Sequence, residues 1–195
     1  MAIIAIRHGA TIDKYIGDAI MAFFGDPETL GQNNDAVNCI KMALEMQQRA
    51  KKLRNELKRM GVTRPFNIRC GINSGICTVG NFGSENRLDY TAIGNQVNLA
   101  SRLESMAGEG EVLVSEETML LTQDSFEFKP NKEIYVKGFS RPIKTFSVLN
   151  TKQMKQIKKI SLHSKGIDLE INPEKFNDHS LESLREVLAE IENNI

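Results

Sequence analysis

The chain carries no surplus of charge: its 25 basic and 25 acidic residues cancel over 195 positions. A domain that grips nucleic acid usually shows a basic face, so the balance argues against that partner and against a charged membrane surface. Cysteine is scarce. Cys39, Cys70 and Cys77 are odd in number and follow no CxxC or zinc-ligand spacing. They read as reduced, mostly buried thiols of a cytosolic protein. Long apolar runs are missing as well. The opening MAIIAIRHGAT is apolar for only a few residues, too short for a membrane span, and it has no cleavage-site pattern. Internal repeats and low-complexity blocks are absent. A P-loop fails too, because GNFGSENR lacks the Lys-Ser/Thr ending. What remains is a soluble, cytoplasmic protein long enough for one sizeable core and a small appendage.

The pattern that is present mixes helices with strands. Ile3 to His8 reads as a helix end stopped by Gly9. Thr11 to Ile16 and Ala19 to Phe24 read as a hairpin around a Gly17-Asp18 turn. Asn34 or Asp35 is expected to cap a long helix that runs to about Met60 and stops at Gly61. Ala36, Ile40, Ala43, Met46, Ala50, Leu53, Leu57 and Met60 would form its buried stripe. Phe66, Ile68, Cys70 and Ile72 alternate with polar or small residues, which predicts a strand with one buried face. A further strand is expected near Ile76 to Val79, with the glycines of GINSG and GNFG marking turns or close backbone approach. Glu111 to Val114, Phe126 to Phe128, Ile134 to Val136 and Thr145 to Leu149 would complete the sheet. The fold class is α+β.

Composition shifts near Thr151. Residues 151–195 form a charged C-terminal extension, basic at Lys152, Lys155, Lys158, Lys159 and Lys165 and acidic afterwards. Leu181, Leu184, Leu188, Ile191 and Ile195 have helical spacing, with Ser180 as the expected N-cap. A charged tail ending in one docking helix accounts for this segment.

The run RLDYTAIGNQVNLASRLE, from Arg87 to Glu104, reads as a strand, a Gly94 turn and a helix. Asn98 and Arg102 lie four residues apart and so project from one helix face, while Val97, Leu99, Ala100 and Leu103 can supply the buried side. Taken alone, such a pair is an ordinary solvated face. An amide one turn from a permanent cation also suits a ligand with a hydroxyl and a phosphate.

Four blocks in order, TIDKYIGDAIMAFFG, RCGINSGICTVGNFG, RLDYTAIGNQVNLASRLE and YVKG, resemble the catalytic domain of class III nucleotidyl cyclases, the adenylate and guanylate cyclases. The resemblance covers Gly9 to Leu149, within a domain placed at residues 1–150. It implies a ferredoxin-like α+β fold with an antiparallel or mixed sheet and flanking helices. It also implies attack of a ribose 3′-hydroxyl on the α-phosphate of a nucleoside triphosphate, with two Mg²⁺ or Mn²⁺ ions at about 3.5–4 Å separation. Active sites of the family lie at a dimer interface.

Residue by residue, the resemblance makes Asp18 a metal ligand, Asn98 the residue that orients ribose, and Arg102 the stabiliser of α-phosphate charge. Lys137 would hold the outer phosphates. Lys14 and Thr91 match the pair that reads the purine, and a Lys donor with a hydroxyl acceptor complements N1 and N6 of adenine. Without the motif, Asp18 would be a turn residue and Lys14 a snorkelling strand lysine. Asp13 matches no catalytic position and is expected to be a plain strand or turn residue. ATP is the expected substrate and cyclic AMP the product. Diguanylate cyclases have a related fold, but no GGDEF-like turn occurs.

The family pattern F-x-D-I-x-G-F-T, which carries the first metal-binding Asp, is not found before the matching blocks; Met1 to Ile12 contains no carboxylate. The expected domain is therefore incomplete at its N-terminus and weakly active or inactive alone. A misassigned start or a truncation, a degenerate product, and a nucleotide-binding or regulatory half are the three readings. The last would pair with a complete cyclase chain; a homodimer is the other expected assembly.

Overall fold

The computed structural model describes residues 1–62, 66–84, 87–136, 138–151, 160–164, 167–171 and 178–192. They belong to two compact units, residues 1–150 and 151–195.

The first unit opens with α1 (Ala2–Arg7), which ends where Gly9 takes a φ of 84°. Ile4 and Ala5 of α1 are buried with Ala10, Met42 and Met46 in a small cluster. Next comes the hairpin of β1 (Thr11–Ile16) and β2 (Ala19–Phe23), joined at Gly17 and Asp18 as the two-residue turn predicts. Its register slips between Ile12 and Lys14, so Asp13 is the extra residue of a β-bulge.

The long helix α2 spans Gln32–Arg59. It starts earlier than the sequence suggested, with Gly31 at the N-cap and no side-chain cap bond. Asp35 faces the preceding loop, accepting from the Thr29 hydroxyl at 2.5 Å and from the Leu30 N–H at 3.1 Å. Asn34 donates to the Leu30 carbonyl. Its buried face holds Ala36, Ile40, Ala43, Met46 and Ala50, and also Met42. Leu53 and Leu57 are only partly covered, and Met60 is exposed.

A four-stranded sheet in the order β3-β6-β8-β7 carries the core: β3 (Cys70–Ile72), β6 (Val112–Ser115), β7 (Phe126–Pro130) and β8 (Thr145–Thr151). β3 and β6 run parallel, and β6 and β8 antiparallel. All four residues of β6 are buried, and they alternate between two layers. Val112 and Val114 pack with Ile40 and Ala43 of α2 and with Phe126, while Leu113 joins Leu99 and Leu103 on the other face. These last two come from α3 (Asn95–Met106). A seven-residue helix, α4 (Glu116–Thr122), follows β6 directly, and Ser115 caps it by accepting from the Thr118 N–H.

Several expectations shift here. The strand expected from Phe66 shrinks to Cys70–Ile72, because the Ile68 carbonyl is taken by Gln47 Nε2 and the Gly110 N–H. The strand expected at Ile76 begins at Thr78, and Ile76 is 95% exposed. That strand, β4 (Thr78–Ser84), pairs throughout with β5 (Arg87–Ile93), so GNFG is strand and not turn. Ile134 makes only an isolated bridge to Ile143.

In the second unit, β9 (Ile160–Ser164) and β10 (Ile167–Ile171) pair antiparallel, which the lysine-rich sequence did not announce. The helix α5 (Asp178–Glu192) begins before Ser180, so Ser180 is not its N-cap. Ile195 and all five of the lysines named in this extension lie outside the described residues.

Candidate nucleotide site

The two hairpins meet at the Phe23 and Tyr90 rings, 6.5 Å apart, and at a polar cluster of three side chains. Thr91 of β5 is buried, and Lys14 of β1 reaches it, its ammonium donating to Thr91 Oγ1 at 2.9 Å. The Thr91 hydroxyl in turn donates to the Asp13 carboxylate, at 2.9 Å from Oδ1 and 2.7 Å from Oδ2. The Ala92 N–H adds a bond to Asp13 Oδ2 at 2.9 Å, and Lys14 Nζ lies 3.1 Å from Oδ1. The Asp13 side chain has 0% exposure, whereas that of Lys14 keeps 42%. Burial alone would push the Asp13 carboxyl up. The bonds from Thr91, Ala92 and Lys14, with the lysine's charge, outweigh it and hold the group below the ordinary carboxylate value.

On the sequence alone Asp13 is a plain strand or turn residue. It is one, but the bulge turns it onto the Lys14 side, and it ties the expected purine-reading pair together. The available signal is an acid beside a lysine within β1.

Three residues after Thr91 comes Gly94, whose φ of 144° turns β5 into α3. The Gly94 carbonyl accepts from the N–H groups of Val97 and Asn98, which closes the first turn. With Leu99 and Leu103 buried, Asn98 and Arg102 stand exposed on the opposite face, as their spacing requires. Neither side chain makes a hydrogen bond or ion pair to a described residue.

Asp18 sits exposed at the tip of the first hairpin. Arg69 Nε donates to Glu104 Oε1 at 2.6 Å, which raises the guanidinium pKa first, with Asp18 adding a smaller electrostatic contribution. Asp18 is a hard oxygen donor suited to Mg²⁺ or Mn²⁺. One exposed carboxylate does not complete a two-ion centre, and no group of three or more His, Cys, Asp or Glu among the described residues could hold a metal. Lys137 lies outside the described residues. No helix among those described is long and apolar enough to cross a membrane.

The sheet, its flanking helices and the two hairpins define a domain of the class III nucleotidyl cyclase fold. The particular family follows from the sequence: the family model described as "Adenylate and Guanylate cyclase catalytic domain" matches residues 4–150, and the chain belongs to that family. It is 34% identical over 150 residues to an adenylate cyclase of Anabaena cylindrica, covering 72% of this chain and 28% of that protein. The crystal structure of the adenylyl cyclase CyaB from P. aeruginosa is 48% identical, with a TM-score of 0.75 and 78% of each chain covered. The guanylate cyclase domain of RhGC from Catenaria anguillulae, solved in complex with GTP, is 29% identical with a TM-score of 0.67, covering 77% of this chain and 78% of that one. The chain spans less than a third of the length of the curated relatives first matched. Class III cyclases generally use Mg²⁺ or Mn²⁺.

Proposed function

We propose that this chain supplies the nucleotide-handling half of an adenylyl cyclase site, converting ATP to 3′,5′-cyclic AMP and pyrophosphate. The observation that carries the reading is the 2.9 Å bond from Lys14 Nζ to Thr91 Oγ1. Of the three ammonium protons, one goes to Thr91 and one points to Asp13, leaving one for a ligand. Adenine N1 accepts that proton, and the adenine 6-amino group donates to the Thr91 oxygen. Guanine presents a donor at N1 and an acceptor at O6, so both contacts fail.

With the base held, Asn98 orients the ribose. The 3′-oxygen attacks the α-phosphorus, its proton passes to solvent, and pyrophosphate leaves as the P–O bond to it breaks. Arg102, charged at any working pH, donates to the α-phosphate oxygens as negative charge builds there. Removal of one such preorganised donor costs about 10²–10³ in rate. Lys137 holds the outer phosphates.

Asp18 supplies one carboxylate to a metal centre that further acids must finish. A second copy or a complete cyclase chain is the partner, so that Asp18 of one subunit faces Lys14, Thr91, Asn98 and Arg102 of the other. Tyr15, Ile16, Leu88 and Ile93, all exposed on the two hairpins, supply apolar surface for that contact.

Purified protein with ATP and Mn²⁺ should form little cyclic AMP alone while binding ATP measurably, and Lys14→Ala should weaken that binding. Turnover alone equal to that of a complete cyclase would remove the half-site reading. Absence of ATP binding would remove the nucleotide assignment.

A further inference from the structure

Neighbouring residues of a strand point to opposite faces, yet Asp13 and Lys14 both reach Thr91. The bulge between Ile12 and Lys14 makes this possible by adding one residue to β1 opposite β2. A fully buried carboxylate is costly to place, and this one is met by a hydroxyl, a backbone N–H and an ammonium. Held as an anion, it has no proton to give. It can only accept.

We infer that Asp13 is a positioning residue for base selection: it takes the single proton of the Thr91 hydroxyl and leaves that oxygen only lone pairs for the ligand. This rests on the reading that Lys14 and Thr91 face the purine. One lone pair receives the Lys14 ammonium, and the other is left for the 6-amino group of adenine. A threonine hydroxyl free to rotate could instead donate to O6 of guanine, and the pair would no longer tell the two bases apart. Asp13 thus converts an ambivalent hydroxyl into a fixed acceptor without touching the nucleotide itself.

In the variant Asp13→Asn the amide keeps the volume and can still accept from the Ala92 N–H. Its NH₂ then donates to Thr91 Oγ1, and the threonine proton is released toward the base. The test is equilibrium titration of the purified chain with the α,β-methylene analogues of ATP and GTP, whose P–C–P link cannot be cleaved to release pyrophosphate. Wild type should favour the adenine analogue. Asp13→Asn should reduce the adenine-to-guanine affinity ratio by about tenfold, the scale of one exchanged hydrogen bond, chiefly through tighter guanine binding.

Thermal melting of each variant checks that it is folded. Asp13→Ser, small enough to admit water beside Thr91, gives the same readout if the Asn variant does not fold. In a Thr91→Val background Asp13→Asn should leave the ratio unchanged. An unaltered ratio in a folded Asp13 variant, or an equal drop without the Thr91 hydroxyl, overturns the inference while the ATP reading stands. Failure of wild type to favour the adenine analogue overturns the ATP reading and the inference with it.

Discussion

Gly71 is the point where β3 touches α3, and replacing it should be among the most damaging single-methyl changes in the fold. A Cβ built there would lie 2.1 Å from the Glu104 nitrogen, 2.4 Å from the Ala100 carbonyl oxygen and 2.7 Å from the Glu104 Cα. All three are backbone atoms, so no rotamer change relieves the clash. Extra carbon in a packed interior typically costs about 1–3 kcal/mol, and the rigid neighbours put Gly71→Ala at about 3 kcal/mol. That corresponds to roughly a hundredfold loss in the folding constant. For a chain of this size it lowers Tm by about 6–12 °C.

The damage is directional, because α3 must move away from the sheet and it carries Asn98 and Arg102. Gly75→Ala is the control. There the added atom meets the flexible Gln96 side chain at 2.6 Å, which can swing aside. Doing so gives up the bond from Asn73 Nδ2 to Gln96 Oε1, about 1 kcal/mol. Urea denaturation followed by far-UV circular dichroism measures both. A Gly71→Ala protein as stable as wild type would show that the helix is not seated on β3 as described.

Three further outcomes follow from the packing and the charges. Phe126 is 1% exposed in the main core, and Phe126→Ala should cost about 3–5 kcal/mol in the same urea experiment; a loss below about 1 kcal/mol would contradict its place there. The Asp13 carboxyl titrates below its ordinary 3.8 in the folded chain, so its contribution is complete above that value and fades as pH falls through the lower folded one. Asp13→Asn should therefore flatten the acid limb of the stability curve below about pH 4, and parallel limbs would count against the buried anion. Burial pushes the thiols of Cys39 and Cys70 up to about 12 and about 11 and raises Cys77 less strongly. Ellman's reagent at pH 8 should reach Cys77 first and the other two only on unfolding; three equally fast thiols would refute this.

The parts legible in the sequence are those where a local pattern dictates a local structure. The Gly17-Asp18 pair between apolar runs specifies the first hairpin, and the 3.6-residue spacing from Ala36 to Ala50 specifies the buried face of α2. Errors occur where a distant partner takes a group that local rules reserve. Gln47 and Gly110 capture the Ile68 carbonyl and shorten β3. Asp35 bonds the loop and not the helix end. GNFG looks like turn material, yet Gly80 pairs with Thr91 inside a hairpin. The helix α4 is too short, at seven residues, to show a clear periodicity, although Ser115 with Glu116 and Glu117 is a serviceable start signal. At the site, the roles proposed for Lys14, Thr91, Asn98 and Arg102 rest on the family motifs. The bulge that brings Asp13 to Thr91 leaves no mark in a one-dimensional pattern.

The most direct test of the central claim is to mix this chain with a complete cyclase chain that contains the F-x-D-I-x-G-F-T segment but has lost its own catalytic arginine. ATP, GTP and Mn²⁺ are supplied together, and the cyclic nucleotides formed are separated and quantified. The account predicts cyclic AMP in excess of cyclic GMP, falling by about 10²–10³ when this chain carries Arg102→Ala. No cyclic nucleotide, mainly cyclic GMP, or a yield indifferent to Arg102 would contradict it.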